Sequence, residues 1–228
     1  MSTIADNILQ VGSRIQAAAK AANRDENSIQ LLAVSKTKPA QALREAYAAG
    51  LRDFGENYLQ EALGKQLELA DLPLIWHFIG PIQSNKTRAI AEHFDWVHSV
   101  DRLKIAQRLS EQRPAELPSL NICIQVNVSG EASKSGCTPA DLPALAEAIN
   151  GLPRLKLRGL MAIPEPTEDR AEQDAAFAAV QKLQASLDLP LDTLSMGMSH
   201  DLESAIAQGA TWVRIGTALF GARDYSQS

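Results

Sequence analysis

The chain has 228 residues, 45% hydrophobic and 21% charged, enough for one soluble domain with a substantial core. Its net charge of −5, with no basic arm or Lys/Arg block, excludes nucleic acid as an expected partner. No apolar segment approaches the ~18 residues that cross a bilayer, and the first ten residues carry Asp6 and lack the regions of a secretory signal, so a cytoplasmic protein without a membrane partner is expected.

A helical pattern over 3–22 opens the chain. Short apolar runs then alternate with helical patterns. Strands are predicted at 30–36, 53–55, 74–79, 96–100, 121–128, 156–163, 193–196 and 211–216. Helices are predicted between them at 40–49, 56–70, 84–93, 102–112, 139–150, 168–187 and 200–208. Pro39 and Pro139 suit first helical turns, with Thr138 as a cap before the second, and Gly50 and Gly209 fit left-handed helix ends. The segment 164–170 reads as a βα loop. Strict alternation implies parallel strands, because each crossover must carry the chain back over the sheet. Eight repeats without a long linker predict a closed (β/α)₈ TIM barrel over residues 1–228, with an open doubly wound sheet as the runner-up. Cys123 reads as a core residue. With Cys137 it agrees with a reducing compartment, and two cysteines make neither an expected disulfide nor a zinc site.

In such a barrel the C-terminal strand ends converge on one mouth. Lys36 closes the apolar run Leu31-Leu32-Ala33-Val34-Ser35 and stands at that mouth. An ammonium there is costly to desolvate unless it is paired, neutralised or used, and a lysine whose pKa an apolar pocket depresses is a nucleophile toward aldehydes. Alone, Lys36 reads more readily as a residue that snorkels out where strand meets loop. Ser199 and Gly216-Thr217 follow the last two strands, where barrels of this kind often hold a phosphate on backbone N–H groups. Singly, Ser199 is also an N-cap, and Gly216 and Gly221 also suit tight strand–helix packing. A lysine that condenses with an aldehyde, facing a phosphate cradle, describes pyridoxal 5′-phosphate. Arg214 then faces the ring nitrogen and, always charged, keeps it unprotonated and a weaker electron sink; a salt bridge is the alternative. Asn57 suits the ring hydroxyl or a turn cap. His77 is read as a proton relay or a satisfied core residue, Lys38 as a second cation or a solvated residue, and 133–136 as a loop. Met161, Met196 and Met198 are expected to form apolar walls; Glu56, His98 and Asp101 have no partner fixed by spacing.

Six motifs then stand in register: Leu-Leu-Ala-Val-Ser-Lys-Thr-Lys-Pro (31–39), Phe-Gly-Glu-Asn-Tyr (54–58), Trp-His-Phe-Ile-Gly-Pro-Ile-Gln-Ser-Asn-Lys (76–86), Arg-Gly-Leu-Met-Ala-Ile-Pro (158–164), Ser-Met-Gly-Met-Ser (195–199) and Val-Arg-Ile-Gly-Thr-Ala-Leu-Phe-Gly (213–221). In order and over essentially the whole chain, they resemble the pyridoxal phosphate homeostasis protein family. That resemblance implies a barrel of the alanine racemase N-terminal type with an extra N-terminal helix and without the racemase's C-terminal β-domain. It implies Lys36 as the Schiff-base lysine, Ser199, Gly216 and Thr217 at the phosphate, Arg214 at the ring nitrogen, and Asn57 as a further cofactor contact. It also implies no catalytic residues and no metal, but a carrier that acts in vitamin B6 and amino-acid homeostasis. The expected state is a monomer, with pyridoxal-phosphate-dependent apoenzymes as recipients and Lys38 or Lys134 as candidates for a secondary site. The alternatives are a pyridoxal-phosphate-dependent racemase or decarboxylase and a cofactor-free Schiff-base aldolase.

Overall fold

A computed structural model describes residues 2–132 and 135–222. Helix α1 (Ile4–Ala21) precedes the barrel and starts from a capping box, in which Thr3 and Asp6 each accept the other's backbone N–H. The strands are β1 (Gln30–Val34), β2 (Asp53–Glu56), β3 (Ile75–Phe78), β4 (Trp96–Val100), β5 (Leu120–Gln125), β6 (Leu155–Met161), β7 (Thr193–Ser195) and β8 (Trp212–Ile215). The helices that follow them in turn are α2 (Ala40–Ala48), α3 (Leu59–Glu68), α4 (Thr87–His93), α5 (Leu103–Gln112), α6 (Leu142–Asn150), α7 (Arg170–Ala185), α8 (Leu202–Ala207) and the one-turn α9 (Thr217–Phe220).

Every neighbouring strand pair is parallel, and β1 also pairs with β8, Gln30 to Trp212 through Ala33 to Ile215. That last pairing closes the barrel and removes the open-sheet alternative. Boundaries moved where side chains or turns intervene. β1 stops at Val34, so Lys36 lies in the turn beyond it. Pro39 sits at the N-cap position of α2, not within its first turn. Residues 139–141 form a turn, with Thr138 Oγ1 accepting the Asp141 N–H, and α6 starts only at Leu142. Gly50 and Gly209 adopt φ of 106° and 102°, as left-handed helix ends require.

Two apolar layers result. The outer one packs helices on the barrel and includes the fully buried Phe54, Phe94, Phe177, Leu43, Ile105 and Leu109, side chains worth about 1.5–3 kcal/mol each. The inner one fills the barrel with Leu32, Trp96, Cys123, Met161 and Trp212. Both cysteines are free and buried, and burial pushes the Cys123 thiol up to about 12. Among the described residues no helix is long and apolar enough to cross a membrane, and no cluster of three or more metal-binding side chains occurs.

A polar thread crosses this inner layer. His77 contacts Asp53 Oδ1 through Nε2 at 2.8 Å and His98 Nε2 through Nδ1 at 2.9 Å. His98 Nδ1 meets Ser195 Oγ at 2.7 Å. Burial lowers both histidine pKa values; Asp53 and Asp95 oppose this at His77, while His77 and Arg214 reinforce it at His98. Below about pH 6.5 the unfolded chain therefore takes up protons that the folded chain refuses, so stability falls as pH falls. Buried Glu56, whose pKa burial raises, acts in the opposite sense as one group against two. Urea unfolding is expected to show a loss of about 1–3 kcal/mol between pH 7.5 and 5.5.

Candidate functional site

The C-terminal strand ends open onto a cavity of about 220 Å³. Lys36, Asn57, Ser199, Arg214, Gly216 and Thr217 all line it, with Val34, Lys38, Ile79, Ile163, Met198, His200 and Gly221.

Lys36 is half-buried in a turn whose next residue, Thr37, has φ of 64°. A left-handed threonine costs about 1–2 kcal/mol, and hydrogen bonds on both sides of Lys36 offset it. Glu61 Oε1 accepts the Thr37 N–H at 2.6 Å. Lys65 Nζ donates to the Ser35 carbonyl at 2.7 Å, and Ser35 Oγ donates to Glu56 Oε1 at 2.7 Å. Lys65 also pairs with Glu56 at 2.7 Å and Glu61 at 2.6 Å, so its three donors have three acceptors. Glu56 is wholly buried, and its second oxygen has no partner among the described residues. Burial holds its carboxyl above the ordinary value, against the pull of Lys65 and Ser35.

Arg214 is 4% exposed. Nη1 donates to Ser195 Oγ at 2.8 Å and Nη2 to the Ala162 carbonyl at 3.0 Å, which commits two of five donors. Burial lowers its pKa to about 10, so it stays a cation at neutral pH. It forms no ion pair with a carboxylate among the described residues.

The loops that follow β7 and β8 are braced from outside the barrel. Asp201, not Ser199, stands at the start of α8 and accepts the Met198 N–H through Oδ1 at 2.6 Å. Gly197 has φ of 98°, and a Cβ there would lie 2.5 Å from the Ala205 side chain, so only glycine fits this approach. Arg14 of α1 donates to the Ser199 carbonyl at 2.9 Å and pairs with Glu203 at 2.8 Å. Gly216 opens α9, whose first amides lack intrahelical acceptors. Asn7 of α1 donates to the Leu219 carbonyl at 2.8 Å. Lys38 Nζ donates to the carbonyls of Phe220, Gly221 and Ala222, so it caps the end of α9.

Asn57 Oδ1 is buried without a partner among the described residues. An amide's two ends exchange by a half-turn, so this side chain offers the cavity either a donor or an acceptor. A lysine amine, a buried cation, an unsatisfied amide and a hydroxyl-and-amide cradle line one cavity, a donor set that fits the phosphorylated pyridine aldehyde implied by the resemblance.

Other candidates lie elsewhere. His77 is inside the barrel and does not line the cavity. Just past the end of β5, the Asn127 amide is taken up by its own loop, donating to the Glu131 carbonyl and accepting the Ser129 N–H. Asp101 pairs with Arg102 and accepts the Gly136 N–H. Ser133 and Lys134 lie outside the described residues, whereas Ser135 lines an adjoining cavity of about 260 Å³ that shares Asn57, Ile79 and Ile163. Sequence reasoning missed Lys65, Glu61, Asn7 and Arg14. The Glu61–Lys65 spacing of four on one helix was a usable signal. Nothing local links Asn7 or Arg14 to loops at the far end of the chain.

The family described as alanine racemase, N-terminal domain, matches residues 9–224. The pyridoxal phosphate homeostasis protein of Pseudomonas aeruginosa is 78% identical over 225 residues, covering 99% of this chain and 98% of that protein. Its namesake in Escherichia coli K12 is 55% identical, with 100% of both chains covered. Among solved structures, PipY of Synechococcus elongatus PCC7942 with PLP bound superposes with a TM-score of 0.83 at 45% identity, covering 96% of this chain and 100% of that one. Full-length matches at these identities, on a closed eight-stranded barrel, place the chain in the pyridoxal phosphate homeostasis protein family, within the wider family of alanine racemase N-terminal domains.

Proposed function

We propose that this protein binds pyridoxal 5′-phosphate as a Schiff base on Lys36 and holds and hands on the cofactor, without turnover of its own. In this reading Ser199, Gly216 and Thr217 hold the phosphate, Arg214 donates to the ring nitrogen and Asn57 meets the ring hydroxyl. The observation that carries it is the convergence of these six residues on one cavity. The amine of Lys36 adds to the aldehyde carbon and one water leaves, so attachment needs no oxidant and reverses when another amine takes the aldehyde. Pyridoxal phosphate supplies an electrophilic carbonyl and an electron-withdrawing ring; Arg214 keeps the ring nitrogen unprotonated and tempers that withdrawal. A PLP-bound relative and homologues named for PLP homeostasis support the assignment. The proposed setting is the cytoplasm, as a monomer whose recipients are pyridoxal-phosphate-dependent apoenzymes.

A racemase or decarboxylase needs a proton donor opposite Lys36. His77 is engaged inside the barrel and Lys38 is held by three carbonyls, which favours the carrier reading. Loaded protein incubated with L- and D-amino acids in deuterated water should exchange their α-hydrogens no faster than free cofactor does. Sustained exchange well above that rate would overturn the carrier reading.

A further inference from the structure

Arg214 reaches the cavity, but the side chain that fixes it does not. Ser195 is fully buried in the barrel and passes the contact on, through His98 and His77, to Asp53 at the first residue of β2. We propose that Ser195, His98, His77 and Asp53 form a one-way hydrogen-bond chain through the barrel that orients Arg214 and ties its charge to a carboxylate at the opposite end, making all four positioning residues for whatever Arg214 contacts in the cavity.

The end groups dictate the direction. A guanidinium only donates, and an ionised carboxylate only accepts. Ser195 Oγ accepts from Arg214, which leaves its own proton for His98 Nδ1. His98 then carries its proton on Nε2 and gives it to His77 Nδ1. His77 in turn carries its proton on Nε2 and donates to Asp53 Oδ1. Reversing the histidines would set a bare His77 Nε2 against the Asp53 carboxylate or require a second cation in the core. Burial opposes that cation. His77 is stacked on Trp96 at 5.5 Å and edge-on to Trp212 at 4.9 Å, with only Asp53 and Asp95 favouring its charge; His98 meets His77 and the like charge of Arg214. Among the described residues Arg214 has no carboxylate in contact, Asp201 acting on it only through space, so this thread is its hydrogen-bonded link to an anion there. Chains of hydrogen bonds in a low dielectric reinforce one another, so loss of one member is felt at the far end.

The extension from Arg214 to the cofactor rests on the proposed function; the chain itself does not. Nitrogen NMR of protein with ¹⁵N-labelled histidine and arginine, with and without pyridoxal phosphate, tests it. At neutral pH both His77 and His98 should be neutral and protonated on Nε2, and the Arg214 N–H groups should be protected from exchange. Either histidine protonated on Nδ1, or charged, would overturn the proposal. Ser195→Ala should release the Arg214 protection, leave both histidines protonated on Nε2 because Asp53 still fixes His77 and His77 Nδ1 still accepts from His98, weaken cofactor retention about tenfold and shift the visible band. Wild-type Arg214 protection in that variant would overturn the positioning role, and so would wild-type retention and spectrum. Asp53→Ala, at a partly exposed position, provides a second break should Ser195→Ala fail to fold; loss of the His77 tautomer preference and of Arg214 protection is expected, and their persistence would contradict the chain. If wild-type protein took up no cofactor at Lys36, the functional reading would fail while the nitrogen signals still decided the chain.

Discussion

Replacing Lys65 with methionine is expected to lower the unfolding free energy by about 3–5 kcal/mol at pH 7.5, because it strands a carboxylate that is wholly buried. Glu56 already has one oxygen without a partner among the described residues, and Ser35 Oγ would be the remaining donor to the other. Its pKa, raised by burial even beside Lys65, would rise further. The sign of the pH dependence follows. A carboxyl whose folded pKa exceeds its unfolded value of about 4.5 binds a proton in the folded state first, so the variant recovers stability as pH falls and loses it as pH rises. The histidine pair is common to both proteins and cancels in their difference, so the penalty relative to wild type should shrink between pH 7.5 and 5. Urea unfolding at the two pH values measures it, and a penalty below about 1 kcal/mol at pH 7.5 would show that Glu56 is not held as an anion by Lys65. The same substitution frees the Ser35 carbonyl and should loosen the turn that carries Lys36.

Lys36→Ala is expected to abolish the visible absorption of cofactor-loaded protein while leaving the urea midpoint nearly unchanged. The side chain is half-buried at the cavity, and the turn is held through Ser35 and Thr37 on either side of it, so its loss should cost less than about 1 kcal/mol. Spectroscopy and unfolding on one preparation separate the two effects. A variant that keeps a borohydride-stable adduct at wild-type stoichiometry would move the attachment point to another lysine.

Much of this architecture is legible in the residues because barrel folding is repetitive. Short aliphatic runs such as Leu31–Val34 and the alternation of periods 2 and 3.6 carry the strand and helix count, and parallel order follows from connectivity. Boundaries were less legible where a side chain ends an element: Lys36 lies in a turn because Ser35 and Thr37 bond to β2 and α3, not because the apolar pattern stops. The six residues of the cavity share one mouth because strand ends converge, which spacing can express. His77 was open between relay and core residue; a thread that joins β2, β3, β4, β7 and β8 depends on barrel register, which no local window contains. The bracing of Ser199 and Leu219 by α1 is of the same long-range kind.

The central claim is a covalent link between Lys36 and pyridoxal phosphate. Freshly loaded protein reduced with borohydride, digested and mapped by mass spectrometry should carry one phosphopyridoxyl group on the peptide containing Lys36. An unmodified Lys36 peptide, with the label on other lysines or absent, would contradict it.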